Sequence, residues 1–139
     1  MRETQKKLGV VAGTTRVSGT PHKGMIQALR QYGFDAKVKH TKVTFEDIRT
    51  FVNEKNLPVI VNWYSVFEPP ASGHYSVVVA INKKTITLMD PEIRATRTLD
   101  LDEFNKLWFD FDEDLEFHNP PLRTVFRWML VAIPKKKKG

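Results

Sequence analysis

The segment GHYSVVVAI (residues 73–81) is followed, after NKK (82–84), by TITLMDP (85–91). Both segments are rich in β-branched residues, and the short polar linker between them predicts an antiparallel hairpin. The first segment is too apolar for a strand with one wet face, so we expect it to lie inside a sheet. His74 opens this strand and Asp90 closes the returning one. The hairpin therefore places a histidine and a carboxylate at the same end of the sheet.

The length of the hairpin loop decides whether these two side chains meet. A three-residue loop places Ile81 opposite Thr85 and Ser76 opposite Asp90, so that Asp90 is diagonal to His74 on the same face. A two-residue loop would move Asp90 to the other face. The alternative interpretation is a strand-end histidine and an Asp-Pro turn, both purely structural.

Composition limits the classes of protein. The 139 residues are enough for one domain with a single hydrophobic core. No apolar run reaches membrane-span length, and the start lacks the apolar core of a signal peptide, so a cytoplasmic location is the default expectation. The absence of cysteine excludes disulfides, thiolate metal sites and a cysteine nucleophile supplied by this chain. We expect no metal or cofactor, because the acidic run at residues 110–114, which is predicted to form a turn, lacks the spacing and glycine of a calcium loop.

The formal net charge is +6, and the run Lys135–Lys138 carries four of these charges, which leaves +2 (6 − 4) for the preceding residues. Such a run is either a solvated tail or a weak attachment point for phosphate or anionic lipid. No aromatic residue is interleaved with the lysines as a stacking platform for nucleic acid requires. We therefore favour the solvated tail and expect no specific nucleic-acid partner.

The remaining sequence alternates helical and strand patterns. Helices are predicted over 2–12, from the Thr20-Pro21 start to Gly33, from Thr44 to Asn56, and from Asp100 through Trp108; strands are predicted over 34–40, 57–64, 94–99 and 126–133. The first full helix should bury Met25, Ile26, Leu29 and also Tyr32. Helices covering a mainly antiparallel sheet make this an α+β protein.

Several segments occur in the order found in one family: GT at 19–20 before a helix ending ALRQYGF, TFED at 44–47, LPVIV at 57–61, GHYSVVV at 73–79, MDP at 89–91, and a helix with Glu103, Phe104 and Trp108. From about Gly13 onward the chain resembles the bacteriocin-processing (double-glycine leader) cysteine peptidases and their broader papain-like relatives. The resemblance implies a papain-like half, with a mainly antiparallel sheet flanked by helices. It implies one peptidase-type domain over residues 1–134, without the family's N-terminal cysteine helix, and a basic tail over 135–139.

The resemblance also implies roles for individual residues. His74 matches the general base that pairs with a cysteine nucleophile, and Asp90 matches the aspartate that orients it. Trp63, Tyr64 and Gly73, together with the loop at 67–72, would border a cleft for an extended peptide. The family's cysteine, and the glutamine upstream of it, are not found in this chain. Neither Ser72 nor Ser76 lies on a nucleophile elbow that could replace them.

Three interpretations remain open. The chain is the His/Asp part of a cysteine peptidase whose cysteine helix is on a separate or removed segment, and it is inactive alone. Alternatively, it is a degenerate relative that binds peptides in the former substrate cleft, or it is an interaction module with no cleft. The first interpretation predicts an exposed apolar groove beside His74, and the second predicts a closed core with a lined cleft. The expected partners are a peptide or protein substrate and, in the first interpretation, the separate cysteine segment.

The solvated-tail interpretation is testable by truncation. Deleting Lys135–Lys138 should leave thermal unfolding unchanged and abolish any salt-sensitive binding to DNA, because those four charges supply the electrostatic attraction. Calorimetry and a salt titration of DNA binding measure both effects. Sequence-dependent DNA binding by the truncated protein would contradict this interpretation.

Overall fold

The computed structural model describes residues 22–67, 69–90, 93–111 and 124–135. The predicted helix over 2–12, the Thr20-Pro21 helix start and Lys136–Lys138 lie outside these ranges. The helices are α1 (His22–Gln31), α2 (Phe45–Arg49), which continues into a π-helical turn (Thr50–Glu54), and α3 (Leu101–Leu107). The strands are β1 (Phe34–Lys39), β2 (Val59–Ser65), β3 (Ser72–Ile81), β4 (Thr85–Asp90), β5 (Ala95–Asp100), β6 (Phe109–Phe111), β7 (Thr124–Phe126) and β8 (Met129–Pro134).

The architecture is α+β, as predicted. Six strands form one sheet in the order β1-β8-β2-β3-β4-β5, and β6 pairs with β7 in a separate two-stranded ribbon. All of these neighbouring strands are antiparallel. The strand β3 lies between β2 and β4, so the prediction that this apolar segment is inside the sheet is confirmed. Within the described residues, no helix is long and apolar enough to cross a membrane.

The six-stranded sheet has a separate hydrophobic core on each face. One core packs α2 and α3 against the sheet through residues such as Ile48, Phe104 and Trp108. The other core packs α1 against the opposite face through Met25 and Leu29. Successive residues of a strand point to opposite faces, so each strand contributes side chains to both cores.

Helix ends follow the predicted local signals. Thr44 forms a reciprocal capping box with Asp47, in which each side chain accepts a hydrogen bond from the other residue's backbone N–H. Gly33, with φ of 87°, follows α1 in a left-handed conformation that glycine adopts without strain. Asn56, with φ of 53°, ends the second helical segment in the same way.

Three predictions are wrong in detail. The single strand expected over 126–133 is divided into β7 and β8, because Arg127 has a φ of 52° and turns the backbone between them. Tyr32 is half exposed instead of buried, since it follows the last residue of α1. The acidic run predicted as a turn contributes its first residues to β6, while residues 112–114 lie outside the description.

The β3–β4 hairpin has an unexpected register. Ile81 pairs with Ile86 instead of Thr85, because the side chain of Asn82 accepts hydrogen bonds from the backbone N–H groups of Lys84 and Thr85, at 2.7 and 2.8 Å, and tightens the turn. A β-bulge then adds one residue to β3 between Val78 and Ala80. Beyond the bulge, Val77 pairs with Met89, which is the register that the three-residue loop predicted. The bulge therefore compensates for the tighter turn and returns Asp90 to the face of His74.

The Asn82 turn should contribute measurably to stability. We expect Asn82→Ala to lower the free energy of unfolding by about 1 kcal/mol, because two backbone N–H groups lose their acceptor and must form hydrogen bonds with water instead. Urea unfolding measures the change. Lys83→Ala, in the same turn, is the matched control and should change stability by less than about 0.5 kcal/mol; equal effects of the two variants would show that the Asn82 side chain is not what holds the turn.

Candidate active site

His74 and Asp90 are in contact at the end of the hairpin. Nε2 of His74 lies 3.1 Å from Oδ1 of Asp90, and both side chains are fully buried. The N–H direction of the ring does not point along this line, so the contact is electrostatic and not an aligned hydrogen bond. Beside an ionised carboxylate, the imidazole tautomer with its proton on Nε2 is favoured, since two facing lone pairs would repel.

Proton placement on Nε2 leaves Nδ1 of His74 as the basic nitrogen. This atom is buried and has no hydrogen-bond partner among the residues that the structure describes. An imidazole whose Nε2 faces a carboxylate and whose Nδ1 is bare has the arrangement of a general base, in which one nitrogen is oriented and the other accepts a proton.

Arg97 holds the second oxygen of Asp90. Its Nε donates a hydrogen bond to Oδ2 at 2.9 Å, and its side chain is only 18% exposed. Arg97 is two residues from Ala95, the register partner of Asp90 on β5, so the two side chains share one face of the sheet. A fully buried carboxylate needs such a partner, because an uncompensated charge is costly away from water.

Trp63 packs directly on His74. The two residues are register partners on β2 and β3, and their ring centroids are 4.7 Å apart at an interplanar angle of 60°. The indole N–H of Trp63 donates a 2.9 Å hydrogen bond to Oγ of Ser76. Trp63 therefore fixes the plane of the imidazole, and the hydroxyl of Ser76 is engaged and buried instead of being placed as a nucleophile.

Tyr64 and Gly73 face the other side of the sheet, where β6 covers them. The rings of Tyr64 and Phe109 stack with centroids 5.3 Å apart. The carboxylate of Asp110 lies against Gly73 at the position where a Cβ would be. Only glycine leaves room for this approach.

The sequence-predicted residues thus divide into two groups. The structure brings His74, Asp90 and Trp63 together on one face, whereas Tyr64 and Gly73 lie on the opposite face. Trp63 has no exposed surface, so in this conformation it supports the imidazole and does not border an open cleft. The exposed groove expected beside His74 is not seen at His74 itself, whose side chain is completely covered.

Sequence reasoning missed Arg97 and Asp110. The available signal for Arg97 was the alternation of the strand at 95–100, which places Arg97 and Leu99 on the same face. In the structure Leu99 is buried and Arg97 is partly buried. No comparable signal marked Asp110, because its contact with Gly73 depends on a three-residue strand. Among the described residues, no group of three or more His, Asp or Glu side chains is arranged to hold a metal ion.

Comparison with known proteins assigns the family. The sequence profile of the peptidase C39 family matches residues 5–111. The chain belongs to the peptidase C39 family. A search of curated proteins gives no match.

The fold is also found in a solved peptidase domain. The peptidase domain of Streptococcus ComA, a bifunctional ABC transporter involved in a quorum-sensing pathway, superposes with a TM-score of 0.56. The alignment covers 97% of this chain and 96% of that one, at 15% sequence identity. At this identity the match shows a shared fold, and it agrees with the α+β, papain-like architecture expected from the sequence.

The contact between Gly73 and Asp110 generates a stability prediction. Gly73→Ala should destabilise the C39 domain by about 1–3 kcal/mol, because the added methyl group overlaps the Asp110 carboxylate. Urea unfolding of Gly73→Ala, Asp110→Ala and the double variant gives the coupling free energy. The double variant should recover most of the unfolding free energy that Gly73→Ala loses. If the two single-variant losses simply added in the double variant, the steric explanation would be contradicted.

Proposed function

We propose that this chain is a C39 domain that retains the His/Asp half of a Cys-His-Asp site and has no peptidase activity by itself. The observation that carries the proposal is the buried contact between Nε2 of His74 and Oδ1 of Asp90, with Nδ1 of His74 left bare. We assign these features to a single peptidase-type domain over residues 1–134, followed by the basic tail.

The proposed inactivity follows from the chemistry of acyl transfer. Peptide cleavage by this class of site requires a thiolate to attack the carbonyl carbon, and the chain contains no cysteine. In the proposed site His74 accepts the thiol proton through Nδ1, and Asp90 keeps the ring oriented and stabilises the imidazolium that forms. Without a thiol there is no proton to accept and no acyl-enzyme to form.

The proposed ligand is an extended peptide or protein segment, as the family suggests. Tyr64 and Gly73 are the proposed peptide contacts. A ligand could reach them only if β6 moved away. Trp63 would affect a ligand only by supporting His74, because the indole has no solvent-exposed surface. A separate segment carrying the cysteine helix is the proposed second partner.

Burial favours a second candidate, a binding module without catalysis. His74 and Trp63 are both covered completely, and β6 already lies against Tyr64 and Gly73. In this alternative the histidine and aspartate are structural, and any peptide binding would not depend on the imidazole.

Thiol complementation separates the two candidates. A peptide or fused helix bearing the family's glutamine and cysteine is added, and its alkylation by iodoacetamide is followed at neutral pH. If the His/Asp half is competent, the paired imidazole lowers the pKa of the added thiol, so we expect alkylation on the order of fivefold faster than for the free peptide.

Two variants provide the controls. His74→Ala should abolish the rate advantage, and Asp90→Asn should weaken it. If the complemented protein alkylates no faster than the His74→Ala form, the split-site proposal fails. Peptide binding that persists unchanged in His74→Ala, measured by calorimetry, would then support the binding module.

A further inference from the structure

Five side chains around the site form a closed ring of contacts. His74 contacts Asp90, and Asp90 accepts a hydrogen bond from Arg97. The guanidinium carbon of Arg97 lies 4.6 Å from the ring centroid of Phe67. Phe67 contacts Trp63 at a centroid distance of 6.2 Å, and Trp63 packs on His74. We call this set the site ring.

Within the site ring, Arg97 fixes the rotation of the Asp90 carboxylate. Oδ2 is held by Arg97 from β5, so Oδ1 is directed to His74 on β3. A charge-assisted hydrogen bond at 2.9 Å is among the stronger polar contacts, and it is strengthened further because Asp90 has no exposed surface. Removing Arg97 would therefore take away the hydrogen bond that sets the rotation of the carboxylate toward the imidazole.

Arg97 also connects the loop after β2 to the site. The guanidinium lies over the Phe67 ring, in the arrangement of a cation–π contact. Phe67 lies in the loop between β2, which ends at Ser65, and β3, which begins at Ser72, and its backbone N–H donates to Oγ of Ser65. A displacement of Phe67 would therefore disturb both Arg97 and Trp63, which it contacts.

We propose that Arg97 is a positioning residue that holds Asp90 against His74 and couples the Phe67 loop to the imidazole. The catalytic significance of this positioning rests on the proposed function. The contacts of the site ring are present without a nucleophile, so they can be tested without one.

The test is the NMR signal of the His74 Nε2 proton in the complete chain. Because the imidazole is fully buried and Nε2 lies 3.1 Å from Oδ1 of Asp90, this proton should exchange slowly and give a resolved resonance whose chemical shift depends on the nearby carboxylate. Arg97→Met should lose the resonance, because Asp90 is no longer held at Nε2. Asp90→Asn should lose it too. Arg97→Lys should keep it, because the ammonium group still neutralises Oδ2.

Two controls separate positioning from general loosening of the sheet. Thr98→Val breaks the 2.9 Å hydroxyl contact between Thr87 and Thr98 on the same strand pair, and it should destabilise the β4–β5 pairing while retaining the resonance. Arg30→Met removes an exposed arginine on α1 and should change neither. Thermal unfolding is recorded for every variant, so that the variants are compared at a temperature where all are folded.

Three results would overturn the proposal. These are retention of the resonance in Arg97→Met, its equal loss in Thr98→Val, or its loss in Arg97→Lys, which would mean that the residue acts through packing and not through its charge. The outcome is independent of thiol complementation. Loss of the resonance in Arg97→Met without any alkylation advantage would leave the positioning role intact and remove the proposed function. An alkylation advantage together with a retained resonance in Arg97→Met would leave the proposed function intact and remove the positioning role.

Discussion

A carboxylate with no exposed surface is the constraint on which this end of the molecule depends. Arg97 and His74 approach the two oxygens of Asp90 from the strands on either side, and they offset the cost of keeping this group away from water. The three strands β3, β4 and β5 must therefore stay in register at this end of the sheet. Removing one partner of a buried charged set is costlier than exchanging the whole set for apolar side chains.

The register itself depends on an irregularity. A tight turn closed by Asn82 would send Asp90 to the wrong face if the ladder ran regularly to its end, because one residue of slip exchanges the two faces of a strand. The bulge between Val78 and Ala80 restores the alignment. The bulge thus offsets the change of register that the turn causes, and the contact between His74 and Asp90 depends on both.

Much of the fold could be predicted from the sequence because its elements carry strong local signals. The apolar segment at 73–81 indicated an interior strand, and Thr44 and Gly33 indicated helix ends. The contact between His74 and Asp90 was also predictable, although for a loop geometry that does not occur. The division of the last strand was not predictable, because nothing in its apolar pattern marks the positive φ of Arg127. The Arg97 contact required knowledge of which strand is the neighbour of β4.

The residue types of the site ring indicate whether it serves stability alone. Replacing a buried ion pair by well-packed apolar side chains is often neutral or stabilising, so the set His74, Asp90 and Arg97 is not the simplest way to hold three strands together. A set chosen for stability alone would not need an imidazole with a bare, buried Nδ1, since an unsatisfied nitrogen is itself a cost. In the proposed function this nitrogen accepts a proton from a thiol that a separate segment would supply. Such a donor would have to reach a side chain that is fully buried, so the packing of Trp63 on His74 would have to change.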